Sequence, residues 1–154
     1  MKLAEALILR ADCKKRMEQL KARIIRGAKV QEGDQPAEKP QELIAEFERI
    51  ANELADLIKR INRTNATTLF QNGKTIADAL AERDALVFRR GLYGDLAQAA
   101  AVTQERYIRT EVKFVSTVNV GEAQKQADAL AKTYRELDAR IQELNWQTEL
   151  VEAK

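Results

Sequence analysis

Histidine is absent from this chain, and that absence removes more chemistry than any motif in it supplies. Without it the chain lacks the one side chain whose unperturbed pKa lies between about pH 5 and 8. The commonest metal ligand and every Ser-His or Cys-His nucleophile pair go with it. Cysteine occurs once, as Cys13, so no internal disulfide forms and nothing asks for an oxidising compartment. On its stripe of apolar positions Cys13 reads as a small buried residue rather than a reactive thiol. Proline occurs twice, glycine six times, and aromatic residues make up only 5% of the 154 residues. A β-sandwich needs more turn residues and more aromatics, and a disordered tail needs fewer apolar ones. No apolar run approaches the roughly 18 to 20 residues that span a bilayer. The segment MKLAEALILRAD has the superficial look of a leader, yet Glu5 interrupts a short apolar stretch and no small-residue cleavage site follows. The expected compartment is the cytoplasm.

What is abundant is charge. Charged residues make up 32% of the chain, almost balanced at a net +2, a composition typical of long helices. The predicted fold is mainly α: one helical-bundle domain over 1–154, with helices over about 2–27, 40–64, 76–104 and 121–150. In the first, Leu3, Ala6, Arg10, Cys13, Met17, Leu20 and Ile24 alternate spacings of three and four, with Arg10 the one misfit. Gly33, Pro36 and Pro40 then stop one helix and start the next. The second has the cleanest pattern: Leu43, Phe47, Ile50, Leu54, Leu57 and Ile61. Residues 1–27 hold eight basic and three acidic side chains, whereas residues 28–56 hold three basic and eight acidic. Opposite charge on helices joined by a short linker predicts an antiparallel, coiled-coil-like hairpin.

Periodicity fails between Asn65 and Thr75. An Asn72-Gly73 pair between short apolar stretches predicts a β-hairpin over about 67–76, with Thr75 to Asp78 placed to cap the third helix. That helix carries Ile76, Leu80, Val87 and Leu96 as its expected seam. Gly91 and Gly94 inside it imply a kink or a tight helix crossing. The alternating, β-branched run around KFVSTV predicts a strand over 111–118, able to join the hairpin in a small sheet. Asn119 or Gly121 opens the fourth helix, whose seam is Ala123, Ala127, Leu130, Tyr134, Leu137, Ile141 and Leu144. Trp146 is the expected anchor of a core or a subunit interface.

Few constellations carry chemistry. NGKT at 72–75 ends like a phosphate-binding loop but lacks its first glycine and a preceding buried strand, so a hairpin turn explains it. Glu42, Glu46 and Glu53 share helix faces, but a di-metal bundle needs Glu-x-x-His pointing inward. Neither a cofactor nor a metal is implied. Residues 57–74 contain Lys59, Arg60, Arg63 and Lys74 and no acid. Joined by Asn62, Asn65, Arg106, Arg109, Glu111 and Lys113, the arginines of this stretch form the candidate partner or interface patch.

Six segments taken in order, MKLAEALILRAD (1–12), KVQEGDQPAE (29–38), INRTN (61–65), KFVSTVNV (113–120), QKQADALAK (124–132) and RIQELNW (140–146), resemble a bacterial family labelled septicolysin-like. The resemblance covers nearly the whole chain and implies a compact bacterial helical protein, with no functional residues to carry over. The label points to thiol-activated cytolysins, which are several times longer, mainly β, secreted, and tryptophan-rich around their cysteine. Cys13 sits in RADCKKR with no tryptophan nearby, so the lytic part of the name does not describe this chain.

The expected function is therefore a non-enzymatic helical interaction or structural protein that self-associates, as a dimer or a multiple of dimers. An RNA- or nucleic-acid-binding module using the basic patch is the alternative. Behind these come an enzyme with a polar pocket of Arg83, Asp84, Glu111 and Lys113, and, last, a membrane-lytic protein. No membrane partner is expected.

Overall fold

A computed structural model describes residues 1–101 and 113–152. Its elements are α1 (Leu3–Arg26), α2 (Pro40–Thr67), β1 (Leu69–Gln71), β2 (Lys74–Thr75), α3 (Ile76–Ala100) and α4 (Val120–Gln147). The fold is mainly α with one small antiparallel sheet, in the helical-bundle class that the periodicity predicted. The chain divides into two compact units, one made of 1–75 with 143–154, the other of 76–142.

In the first unit the alternating stripe of α1 turns inward at Leu3, Ala6, Cys13 and Leu20, and that of α2 at Leu43, Ile50, Leu57 and Ile61. Ile50 and Ile61 are essentially inaccessible, so each removes most of a large aliphatic side chain from water. The charge difference between the helices becomes contact. Arg16 Nη2 lies 3.2 Å from Glu46 Oε1, and Arg23 grips Glu38 with two nitrogens, Nε donating at 2.9 Å. Residue 16 pairs with 46 and 23 with 38, so α1 and α2 run antiparallel, as predicted. Pro40 occupies the first turn of α2, where its missing N–H costs nothing.

Beyond residue 64, where the predicted helix stops, α2 continues one turn to Thr67. Thr64 and Thr67 satisfy their hydroxyls by donating to the carbonyls of Arg60 (2.8 Å) and Arg63 (2.9 Å). The Asn-Gly hairpin forms as predicted, with Asn72 at φ 51° and Gly73 at φ 76° between β1 and β2. Positive φ at both central residues is the left-handed geometry that a two-residue hairpin needs.

Three expectations fail here. The strand over 111–118 does not form in its described part: residues 113–118 carry no strand, and the sheet among the described residues has two strands. Phe114 and Val115 are 83% and 79% exposed, so the alternating pattern has no core to face. Ser116 instead bonds locally, its hydroxyl donating to Val118 O at 2.6 Å, which is the competition that turns offer to a ladder. Residues 111 and 112, like 102–110 with the last predicted turn of α3, lie outside the described residues.

The fourth helix ends at Gln147 rather than at 150, and the chain that follows leaves it to pair with the N-terminal segment. Leu3 N donates to Thr148 O and Leu150 N to Met1 O, both at 2.9 Å, around a Lys2–Glu149 bridge. Trp146, expected as the anchor of a core or a subunit interface, is 55% exposed, so the core half of that expectation fails. Asn145 and Ile141 hold the buried line of α4, and 146 lies about 100° round from 145.

In the second unit α3 and α4 also run antiparallel. Arg83 Nη1 lies 2.8 Å from Asp138 Oδ1, and the Arg90 guanidinium stands 5.3 Å from the Tyr134 ring centroid, a cation–π pair. Asn119 caps α4, its Oδ1 accepting from Glu122 N at 2.9 Å. The α4 seam is buried at Ala123, Ala127, Leu130 and Ile141, as predicted. The α3 seam matches the predicted one at Ile76 alone, with Leu80 and Leu96 half-buried. Its buried residues are Ile76, Ala79, Leu86 and Ala97, whereas Val87 is 42% exposed. Around Gly91 and Gly94 an added Cβ would meet nothing within 4 Å, so no tight crossing among the described residues explains them.

Candidate functional site

The patch predicted from sequence is only partly a surface. Arg60 is turned into the first unit, its side chain 16% exposed. Its Nε donates to Val151 O at 2.9 Å, and its terminal nitrogens lie 3.7 Å from Asp56 and 3.8 Å from Glu152. One turn on, the Thr64 hydroxyl accepts from Val151 N–H at 3.1 Å, so the two residues together clamp the chain after α4. Arg60 is thus a structural cation, donating to one carbonyl of that tail and flanked by two carboxylates. Asn62 and Arg63 are exposed on α2 and Asn65 is half-buried. Lys113 is exposed in the second unit, and Arg106, Arg109 and Glu111 lie outside the described residues. Of the described basic members, then, Arg60 is bound within the first unit, while Arg63 and Lys113 are exposed, each in its own unit.

The polar-pocket candidates fare similarly. Arg83 is held by Asp138 and, at 3.7 Å, by Asp84, which leaves its guanidinium bound within its own unit. Cys13 is 4% exposed beneath a shallow groove lined by Leu9, Asp12, Arg16 and Glu53. Burial, with Glu53 adding to it, raises its thiol pKa, the opposite of what a nucleophile needs. Among the described residues no three of Cys, Asp and Glu gather to hold a metal ion, and no helix is long and apolar enough to cross a membrane.

What sequence reasoning missed is the outer face of α3. Ala81, Ala85, Phe88 and Leu92 follow one another at spacings of four, three and four, and all four are exposed. Phe88 is 80% and Leu92 62% exposed. At 100° per residue this stripe lies on the side of α3 roughly opposite Ile76, Ala79, Leu86 and Ala97. The helix therefore carries two apolar seams, one inside its unit and one outside. Scattered exposed hydrophobics are ordinary, but large ones aligned along one helix face mark an interaction surface. The signal was in the sequence: Ala81-x3-Ala85-x2-Phe88-x3-Leu92 repeats the three-four spacing out of phase with Ile76 and Ala79. Two overlapping seams cancel each other when a single apolar face is sought, which is why Val87, exposed here, reads from spacing as an inward position.

Comparison with known proteins places the chain. It belongs to DUF6847, a family of unknown function, which it matches over residues 10–150. It is also similar to a crystal structure described as a functionally unknown conserved protein from Corynebacterium diphtheriae. The two share 51% identity over 98% of this chain and 99% of the other, with a TM-score of 0.93. No curated protein matches the chain. Neither comparison assigns chemistry, so any functional reading rests on the surfaces above.

Proposed function

We propose that this protein is a non-enzymatic helical interaction protein that self-associates, as a dimer or a multiple of dimers, through the outer face of α3. The observation that carries the reading is Phe88, 80% exposed in the middle of a helix and aligned with Leu92. Burying one such aromatic contributes about 1.5–3 kcal/mol, and a symmetric pair buries it twice. A cytoplasmic location and kinship with the septicolysin-like family, in the sense of a helical protein and not a lysin, belong to the same proposal. They are supported by the single buried cysteine and by the six segments that carry the resemblance.

Multi-angle light scattering across micromolar concentrations tests the reading. The expected mass is that of a dimer or a multiple of it, falling to the 17.4 kDa monomer on dilution or on Phe88→Ser. A monomer at every concentration would dismiss self-association.

A further inference from the structure

We infer that the occupant of the outer α3 face is α3 of a second copy, running antiparallel, with Phe88 and Leu92 of each over Ala85 and Ala81 of the other. The inference rests on the self-association just proposed and goes beyond it by fixing direction and register. Its first support is size. The four exposed seam positions read small, small, large, large from Ala81 to Leu92. Antiparallel pairing brings each large side chain over a small one on the opposite helix, and large against small fills an interface at protein density. Parallel pairing stacks Phe88 on Phe88 and Ala81 on Ala81, which crowds one layer and leaves the other open.

Charge is compatible with the same direction. In the antiparallel register the flank of Arg89 faces Glu82 of the second copy, twice by symmetry. Arg89 is exposed and makes no ion pair among the described residues. The next seam position after Leu92 is Asp95, exposed. Parallel helices set Asp95 against Asp95 inside the seam, where two carboxylates repel. Antiparallel helices carry it out to the first turn of the other α3, near Asp78, where the N-terminal end of the helix dipole favours negative charge. That leaves two like-charge approaches related by symmetry, one at each rim, outside the apolar layers. The self-complementarity is what an interface on a two-fold axis requires.

The experiment uses the full chain and two variants, Ala81→Cys and Leu92→Cys, each prepared alone and then mixed. Cys13 is buried and does not compete. Under mild oxidation the antiparallel register crosslinks 81 only to 92 of the other copy, since a disulfide needs Cα atoms roughly 4.4–6.8 Å apart. The expected result is a covalent dimer in the mixture and none from either variant alone. Crosslinking of each variant by itself would overturn the direction in favour of a parallel pair. A wild-type dimer with no crosslink in any sample would place the interface elsewhere, overturning the inference while self-association stands. A wild-type monomer would fail both. Phe88→Ser with Leu92→Ser, both at exposed positions and so compatible with folding, should weaken dimerisation by about a hundredfold or more, with helicity by circular dichroism unchanged.

Discussion

The α1–α2 hairpin and the α3–α4 hairpin are built from similar lengths of helix and bury different things. Between α1 and α2 the core holds six large aliphatic residues, Leu3, Leu20, Leu43, Ile50, Leu57 and Ile61, beside the small Ala4, Ala6 and Cys13. The flanks there are matched by charge, Arg16 to Glu46 and Arg23 to Glu38. In the other hairpin half of the buried positions are alanine: Ala79, Ala97, Ala123 and Ala127. One of its two aromatics on α3, Phe88, faces out. The first hairpin also leaves Ile8, Leu9, Ile25 and Ile44 exposed, whereas α3 aligns its exposed Phe88 and Leu92 along one outward stripe. A helix with one apolar face is finished once it is packed, whereas a helix with two needs a second neighbour.

The largest effect that tests this contrast is truncation in the two cores. Ile50→Ala should lower stability by about 3–5 kcal/mol and Leu86→Ala by about 2–3 kcal/mol, read from urea denaturation. Equal losses would erase the difference between the hairpins. Next comes the clamp on the chain after α4. Thr64→Val is close to isosteric and leaves the Val151 N–H without its acceptor, an expected cost of about 1–3 kcal/mol. Faster amide exchange at Leu150 and Val151 should accompany it, and unchanged protection there would count against the clamp.

Smaller, and opposite in sign, is the effect of filling the glycines of α3. Gly91→Ala and Gly94→Ala meet open space, so each should stabilise the helix by about 0.5–1 kcal/mol in thermal unfolding. A loss at either position would reveal a close neighbour and give the glycines a packing role. The same substitution at Gly73, held at φ 76°, should destabilise instead.

The smallest effect is electrostatic and confined to the first hairpin and its tail. The hydrogen bonds from Arg23 hold the Glu38 carboxyl below its usual pKa, and Lys2 does the same for Glu149. A carboxyl whose folded-state pKa is lowered stabilises the fold above its unfolded value of about 4.3. That contribution is lost as pH falls through the folded-state value. Thermal midpoints should therefore drop on acidification below about pH 4, and Glu38→Gln should flatten part of that drop. Both groups are exposed, so added salt should shrink the effect.

Much of this was legible in the sequence because it depends on spacing alone. The buried lines of α1, α2 and α4 follow from alternating three and four, and the Asn72-Gly73 turn from two residues that tolerate positive φ. The antiparallel first hairpin follows from the charge of its two helices. Each is a local rule or a sum over one helix face. The inward seam of α3 was illegible because two seams share the helix, and no local rule says which one meets α4. Likewise the alternating β-branched pattern at 113–118 could not say that no partner strand among the described residues lies beside it.

By itself, then, the sequence determined where helices lie, which faces of three of them are apolar, and that no histidine is present for catalysis or metal binding. Only the tertiary structure decided what each face meets. It turned Arg60 from a candidate phosphate contact into the anchor of the tail at Val151, and it left Phe88 rather than Trp146 as the most exposed aromatic of the helices. The reason is physical: burial belongs to pairs of elements, and a residue's partners lie far along the chain where no local pattern reaches.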